Sequence, residues 1–237
     1  MATFARLPLW RVQTIYNPFD LARIAQLAVE PLDHPWFAPD QPPVLLAIGR
    51  LNEAKDFHIL IRAFAQLRQQ RAARLVILGE GELRPALEEL LVQLGIGADV
   101  VQLPGFVANP YAWLARCSLF VLSSRREGLP GALIEAMACG VPVVSTNCLS
   151  GPDEILEGGR WGRLVPVGNV DDLAGAIAAT LDTPPEVRPN VRLRAADFEQ
   201  ACAVDAYLNM LKCSSAEKEK ISNCSDASLP LTNKESG

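Results

Sequence analysis

The feature that most constrains the fold of this chain is an alternation of short apolar runs with amphipathic helical stretches between residues 44 and 182. The runs are rich in Val, Leu and Ile and are bounded by Gly, Pro or polar residues, which is typical of buried parallel strands. This alternation predicts right-handed βαβ units. The expected fold class is therefore α/β, a Rossmann-like parallel sheet with helices on both faces. The predicted strands are residues 44–48, 75–78, 100–103, 119–122, 141–145 and 164–167, and the predicted helices are residues 57–70, 82–94, 110–116, 130–139, 153–156 and 171–181.

The regions on either side of this alternating section differ from it in composition. Residues 1–43 are Pro-rich and are predicted to be a linker left from an interdomain segment, with one helical pattern capped by Asp20. Residues 44–182 form the predicted Rossmann-like domain. Residues 183–212 are predicted to be a C-terminal helical segment. Residues 213–237 are rich in Ser, Lys and Glu with few apolar anchors, and they predict a disordered tail.

Composition excludes several classes of protein. The formal net charge is -5, from 27 acidic and 22 basic residues, so we expect no nucleic-acid partner. No apolar run approaches the roughly 18 residues of a membrane-spanning helix, and no secretory signal is visible. The 6 cysteines form no CxxC pair and are expected to be free thiols. A cytoplasmic location is expected, with peripheral association at the inner membrane as a further option.

In a parallel α/β fold, ligands bind in the loops that follow the carboxyl ends of the strands. The loop after the first strand, at residues 49–56, contains Gly49, which allows close approach of a ligand, and two cations, Arg50 and Lys55. An arginine grips phosphate bidentately and a lysine acts as a point charge. The alternative interpretation is that both cations are ordinary solvated surface charges.

The loop after the second strand, at residues 79–84, begins like the dinucleotide-binding pattern G-x-G-x-x-G. Arg84 stands where that pattern has its third glycine, and two carboxylates occupy the turn where a pyrophosphate would bind. Hydride transfer is therefore disfavoured. The preferred interpretation is that Gly79 and Gly81 form a turn against which a nucleotide base lies, with Arg84 nearby.

The loop after the fourth predicted strand is the most informative. Pro130 is predicted as the first residue of a helix that Gly140 ends, so the amides around Gly128 and Leu129 lie at a helix N-terminus that suits an anion. Glu127 precedes that helix, and Glu135 lies about two turns into it. Carboxylates accept hydrogen bonds from hydroxyl groups, so a phosphate flanked by two polyols is indicated, as in a nucleoside diphosphate sugar. The alternative is a capping acid and a surface residue, but the apolar surroundings of Glu135 argue for function.

Together these loops, with residues 151–155 after the fifth strand, resemble the retaining glycosyltransferases of group 1 (family four), which have the two-domain GT-B fold. The stretch from Gly49 to Asp56 resembles the family's diphosphate-binding loop, and Glu127 and Glu135 resemble its two-glutamate motif. The resemblance implies that Glu127 faces the donor sugar and Glu135 faces the ribose. It assigns catalysis to Glu127, Arg50 and Lys55, and donor binding to Gly49, Gly79, Gly81, Arg84, Gly128, Leu129, Pro130 and Glu135.

The implied activity is transfer of a sugar with retention from a nucleotide-diphosphate donor, a UDP-sugar, to a glycan or lipid-linked acceptor in polysaccharide or glycoconjugate synthesis. No cofactor is implied, and no metal, since the sequence has no Asp-x-Asp pair. The chain is expected to be the donor half, with the acceptor half supplied by a missing N-terminal domain or a partner chain. Two alternatives stay open: a non-catalytic nucleotide-sugar-binding fragment, and a GT-B epimerase or phosphorylase relative. The two histidines, His34 and His58, are expected to be structural.

Overall fold

The computed structural model describes the backbone of residues 14–225 and the side chains of residues 14–212. Within this range, Phe19–Glu199 form one compact unit. The residues before it and the long helix that follows it belong to a second unit.

The compact unit is built on one parallel sheet of six strands. The strands are β1 (Val44–Ile48), β2 (Arg74–Leu78), β3 (Val101–Gly105), β4 (Leu119–Leu122), β5 (Val143–Thr146) and β6 (Arg163–Val165). Their order is β3-β2-β1-β4-β5-β6, and every neighbouring pair is parallel. The predicted fold class is confirmed. The order reverses beside β1, which pairs with β2 on one side and with β4 on the other.

Helices cover both faces of the sheet. The helices of the compact unit are α1 (Leu21–Ala28), α2 (Phe57–Arg68), α3 (Arg84–Gln93), α4 (Pro110–Leu114), α5 (Gly131–Ala138), α6 (Pro152–Leu156), α7 (Val170–Asp182) and α8 (Val191–Ala195), and the long helix of the second unit is α9 (Gln200–Ser225). Helices α2, α3 and α7 pack on one face, where Phe64 and Ile177 share a core cluster with Leu45 and Leu119 of the strands. Helices α1, α4, α5 and α8 form the other layer, with α5 against β4 and β5.

Several element ends differ from the predictions by a few residues for identifiable reasons. The fifth strand was expected to begin at residue 141 and begins at Val143. The amide of Val141 instead donates to the carbonyl of Ala136 (3.1 Å), and Pro142 has no amide to donate. Pro130 precedes α5 as its N-cap and is not its first helical residue, whereas Gly140 ends the helix as expected, with φ +82°.

The compact unit is wider than the predicted domain at residues 44–182. In the segment expected to be a linker, α1 buries Ile24, and Trp36 of a short 3-10 turn is also buried. Asp20 caps α1 as predicted, accepting a hydrogen bond from the Arg23 amide (2.8 Å). Further along the chain, Val191 of α8 is buried as well.

The C-terminal segment is not one continuous helix. After α8 and a 3-10 turn, the carbonyl of Phe198 accepts a hydrogen bond from the amide of Phe19 (3.0 Å), and α9 starts after Glu199. The backbone of residues 213–225 continues α9, whereas the sequence predicts a disordered tail from residue 213. The rest of the predicted tail, residues 226–237, lies outside the described residues.

Cys117, Cys139 and Cys148 are buried free thiols, as expected, and Cys202 is exposed. In the described range, no helix combines the length and the apolar character that crossing a bilayer requires. The cytoplasmic location stays a prediction.

Candidate functional site

The point where the strand order reverses creates a crevice at the carboxyl edge of the sheet. Because β2 and β4 lie on opposite sides of β1, the loops after β1 and β4 frame this crevice, which is where ligands bind in open α/β sheets. Three hydrogen bonds join these loops. The Ser123 hydroxyl donates to the carbonyl of Lys55 (2.8 Å), the Arg125 amide to the carbonyl of Ala54 (2.8 Å), and Arg125 Nε to the buried carboxylate of Asp56 (2.6 Å).

Lys55 and Glu127 meet at the centre of this junction. Lys55 Nζ donates to Glu127 Oε1 at 2.6 Å, and the Ser124 hydroxyl donates to the same oxygen at 2.6 Å. The two charged side chains are 21% and 10% exposed, so solvent screens their attraction less than it would at an open surface. Ser124 is held in turn by Thr146, whose hydroxyl donates to the Ser124 carbonyl (2.6 Å). A cation and a carboxylate 72 positions apart are thus fixed side by side.

Arg50 lies at the rim of the crevice. Its side chain is 74% exposed, and its Nε is 3.7 Å from Glu82 Oε2. Such an exposed pair contributes little to stability, so the guanidinium is available to a ligand. The Lys55 side chain passes close to Gly49, where an added Cβ would lie 3.0 Å from Lys55 Cε.

Gly79 and Gly81 allow the loop after β2 to pack backbone to backbone against the loop after β1. A Cβ at Gly79, whose φ is +133°, would lie 2.0 Å from the carbonyl oxygen of Gly49. A Cβ at Gly81 would lie 2.3 Å from the carbonyl oxygen of Leu51. The Leu51 amide also donates to the carbonyl of Glu80 (2.9 Å). Close packing of the two loops therefore explains why glycine stands at both positions, whether or not a nucleotide binds there.

The Arg84 side chain is engaged by its neighbours. It makes a bidentate pair with Glu80, with Nε–Oε2 at 2.9 Å and Nη2–Oε1 at 2.8 Å. Its Nη1 donates to Glu88 Oε1 and to the carbonyl of Leu103, both at 3.1 Å. The Arg84 guanidinium lowers the pKa of the Glu80 carboxyl group. That Arg84 contacts a nucleotide stays a prediction.

The start of α5 is partly covered, because Pro130 is buried and a Cβ added at Gly131 would lie 3.5 Å from the ring of Phe19. No side chain caps this helix, whose N-cap residue is Pro130. Gly128 is exposed, and a Cβ added there would meet no atom within 4 Å. Leu129, beside it, is half-buried. The loop after β5 packs closely against this segment, since a Cβ added at Gly151 would lie 2.7 Å from the carbonyl oxygen of Gly128. An uncapped helix N-terminus with an open glycine beside it suits an anionic group.

Glu135 lies further along α5 and is hydrogen-bonded to a residue that the sequence analysis did not single out. The Tyr111 hydroxyl on α4 donates to Glu135 Oε1 at 3.1 Å. Burial raises the pKa of Glu135, and the Tyr111 hydrogen bond partly opposes that rise. Burial, and after it the negative charge of Glu135, raises the pKa of Tyr111 to about 12. The hydroxyl group therefore stays protonated at neutral pH and donates a hydrogen bond to Glu135.

A cavity of about 390 Å³ adjoins the rim near Arg50. Its volume lies within the range of small-molecule sites. Phe106, which is 82% exposed, contributes an aromatic ring to its lining. The cavity is lined by Ile48, Gly49, Arg50, Leu78, Gly79, Glu80, Phe106, Val107 and Pro110.

Residues 42–183 match the family of glycosyl transferases group 1. The chain belongs to this family. Among its relatives, a Campylobacter jejuni N-acetylgalactosamine-N,N'-diacetylbacillosaminyl-diphospho-undecaprenol 4-alpha-N-acetylgalactosaminyltransferase is 35% identical over 73% of the chain and 45% of the relative. The Rhizobium meliloti lipopolysaccharide core biosynthesis glycosyltransferase LpsE is 34% identical over 73% of the chain and 51% of the relative. The chain spans about half the length of the curated relatives it matches.

Solved glycosyltransferase structures share the fold. Anabaena HepE in complex with UDP and glucose is 25% identical, with a TM-score of 0.72 over 89% of this chain and 59% of that one. The lipopolysaccharide outer core galactosyltransferase WaaB, in its apo form, is 25% identical, with a TM-score of 0.72 over 90% of this chain and 58% of that one. The parallel sheet described above is thus the sheet found in these glycosyltransferases.

For this group 1 glycosyltransferase chain, the structure brings together Lys55 and Glu127, and it places Arg50 and the start of α5 at the same edge of the sheet. Sequence reasoning missed Tyr111 and Phe106. Both follow β3, whose loop carries no glycine or charge pattern, and the only available signal was their position after a strand that ends at the ligand-binding edge.

Metal ligands and histidines are further candidate parts of the site at the carboxyl edge of the sheet. In the part of the chain that is described, no group of three or more His, Cys, Asp or Glu side chains is placed to hold a metal ion. The absence of a metal from the reaction stays a prediction. His34 has a structural environment: its Nδ1 accepts from the Trp36 amide (3.2 Å), and its Nε2 is 3.0 Å from Gln102 Oε1.

Proposed function

We propose that this chain is the donor-binding half of a glycosyltransferase that transfers a sugar, with retention, from a UDP-sugar to a glycan or lipid-linked acceptor. The product would belong to polysaccharide or glycoconjugate synthesis, as the names of its relatives suggest. The observation that carries the proposal is the Lys55–Glu127 pair, held at the strand-order reversal beside the uncapped start of α5.

The donor diphosphate would lie over Lys55 and the start of α5. A lysine ammonium has three donors, and the bond to Glu127 uses one of them, so Lys55 can hold Glu127 and a phosphate oxygen together. Arg50 at the rim would add a second cation. These fixed positive groups would stabilise the charge that develops on the leaving diphosphate, often the largest catalytic contribution.

The two glutamates would bind hydroxyl groups on either side of the diphosphate. Glu127 would accept a hydrogen bond from the donor sugar, and Glu135, oriented by Tyr111, one from the ribose. The cavity next to Gly79 and Phe106 would hold the base. The UDP and glucose bound in the HepE structure support a donor of this chemistry.

Retention would proceed by attack of the acceptor on the face from which the diphosphate leaves. Glu127 Oε1 already accepts hydrogen bonds from Lys55 and Ser124, which reduces its electron density and supports a binding role over that of a covalent nucleophile. Metal-independent stabilisation of the diphosphate by Lys55 and Arg50 is part of the same proposal.

A second candidate is donor binding without transfer. The chain covers about half of its curated relatives, so an acceptor-binding domain or partner chain would complete the enzyme. Incubating the full chain with a UDP-sugar and candidate acceptors separates the two: a glycosylated product supports transfer by this chain, and saturable binding with no product supports a binding-only role.

Calorimetric titration with UDP and with uridine tests the site. Replacing Lys55 by Ala removes the proposed phosphate contact, so UDP affinity should fall about tenfold or more while uridine affinity stays the same. Arg62→Ala is the matched control, because Arg62 is an exposed cation on α2 outside the crevice and should leave both ligands unaffected. Equal losses for UDP and uridine in Lys55→Ala would contradict the assignment of Lys55 to phosphate.

A further inference from the structure

A second site lies at the opposite edge of the sheet from the proposed donor site. Two cavities, of about 730 Å³ and about 280 Å³, adjoin at Pro142 and Arg188. Pro43, Ser118 and Pro142 in their walls immediately precede β1, β4 and β5, so the cavities open at the amino edge. We define the arginine cleft as these cavities and their five arginines, Arg71, Arg160, Arg163, Arg188 and Arg192.

The charge of this cleft contrasts with that of the chain. The sequence has 27 acidic residues and a net charge of -5, yet none of the described residues that line the cleft is Asp or Glu. Two of the five cations have a carboxylate nearby: Arg71 pairs with Asp182, and Arg160 pairs with Glu157 (3.0 Å). The other three have no carboxylate partner among the described residues. A concave surface lined with one sign of charge concentrates counter-ions.

Two of the unpaired arginines are held in fixed orientations by helix ends. Arg188 donates from Nε to the Thr183 carbonyl (2.8 Å) and from Nη2 to the Leu181 carbonyl (3.3 Å), at the end of α7. Arg192 donates from Nε to the Ala138 carbonyl (3.3 Å) and from Nη2 to the Cys139 carbonyl (2.7 Å), at the end of α5.

Helix capping accounts for only part of what these side chains can do. Each guanidinium has five N–H donors and uses two of them on carbonyl groups, so three remain for a ligand. The Arg192 guanidinium fits beside Gly140 because this residue has no side chain, and a Cβ there would lie 2.7 Å from Arg192 Cζ. Preoriented guanidinium groups lose little entropy on binding, and their planar geometry matches phosphate oxygens.

We propose that the arginine cleft binds a phosphate-bearing anion through Arg188 and Arg192, with Arg163 as an additional cation. The anion is a phosphate or diphosphate group, carried by a soluble ester or by a lipid headgroup. This site is separate from the donor crevice, because its residues precede the strands and the Lys55–Glu127 pair follows them.

Titration of the full chain with inorganic pyrophosphate at constant ionic strength tests the proposal. The Nε–Hε NMR signals of Arg188 and Arg192 should shift saturably. Arg188→Gln and Arg192→Gln should each weaken this binding about tenfold, because each removes a charge-assisted hydrogen bond. Arg163→Gln should weaken it several-fold without disturbing a helix end, because Arg163 is exposed and its side chain makes no hydrogen bond or ion pair with another described residue.

Two controls make the result specific. Arg62→Gln removes the same charge from an exposed position outside the cleft and should leave pyrophosphate binding at the cleft unchanged. Lys55→Ala should also retain it. Binding that is lost in Lys55→Ala and kept in Arg188→Gln would place pyrophosphate in the donor crevice and overturn this proposal while leaving the proposed function intact.

Vesicle sedimentation distinguishes the two sources of the anion. Vesicles containing phosphatidylglycerol, compared with pure phosphatidylcholine, should retain the wild-type chain and not Arg188→Gln if the ligand is a headgroup. Pyrophosphate binding without vesicle binding indicates a soluble ester. If neither probe binds, or if Arg188→Gln and Arg62→Gln bind alike, the cleft is not an anion site.

Discussion

At Glu135, two effects act on one carboxyl group in opposite directions. Burial raises its pKa above the ordinary value of 4.5, and the hydrogen bond from Tyr111 lowers it again. The unfolded chain, with the lower pKa, loses its proton first as the pH rises. Glu135 therefore contributes stability at low pH that is lost as the pH rises from the unfolded value through the raised folded pKa.

Replacing Tyr111 by Phe removes the hydrogen bond that favours the ionised carboxylate. The pKa of Glu135 should rise further, and the free energy of unfolding should fall by about 1 kcal/mol at pH 7 and by less at pH 4. A carboxyl ¹³C NMR titration and urea unfolding at both pH values measure these changes.

Tyr207→Phe, the same change at an exposed position on α9, is the control for this experiment. It should leave the titration of Glu135 unchanged. A Tyr111→Phe variant whose Glu135 pKa stays the same or falls would show that the hydroxyl group does not stabilise the carboxylate.

At the scale of elements, the carboxyl edge depends on loops that pack directly on one another. The loop after β2 reaches the loop after β1 only because Gly79 has no side chain. Gly79→Ala would place a Cβ 2.0 Å from a backbone oxygen that no side-chain rotation can move. We expect a loss of more than about 3 kcal/mol in the free energy of unfolding.

Gly95→Ala separates the clash at Gly79 from backbone strain alone. Gly95 also has a positive φ, +66°, but a Cβ there meets nothing within 4 Å, so its substitution should cost only about 1 kcal/mol. Urea unfolding of the two variants gives the comparison. Similar losses in both would mean that the loops can separate without cost.

Much of this arrangement follows from the sequence because the strands are buried apolar runs and parallel strands end at one edge. Lys55 and Glu127 each follow such a strand, so their convergence was predictable. Tyr111 and Phe106 were not, since their positions depend on how the loop after β3 bends. The exact start of β5 depends on Pro142 and on a hydrogen bond from Val141 to α5, which no periodicity records.

The compact unit as a whole carries the two proposed sites at opposite edges of its sheet. The carboxyl edge combines the Lys55–Glu127 pair, the start of α5 and an adjoining cavity, while the amino edge carries the arginine cleft. Helix α5 connects them, because it begins at the donor crevice and its last carbonyls accept hydrogen bonds from Arg192.

The assignment of the donor crevice is tested most directly by a crystal structure of the full chain with UDP. We expect a diphosphate oxygen within about 3 Å of Lys55 Nζ, the start of α5 beside the phosphates, and a ribose hydroxyl on Glu135. UDP bound in the arginine cleft, or anywhere that leaves Lys55 in contact with Glu127 alone, would contradict the assignment.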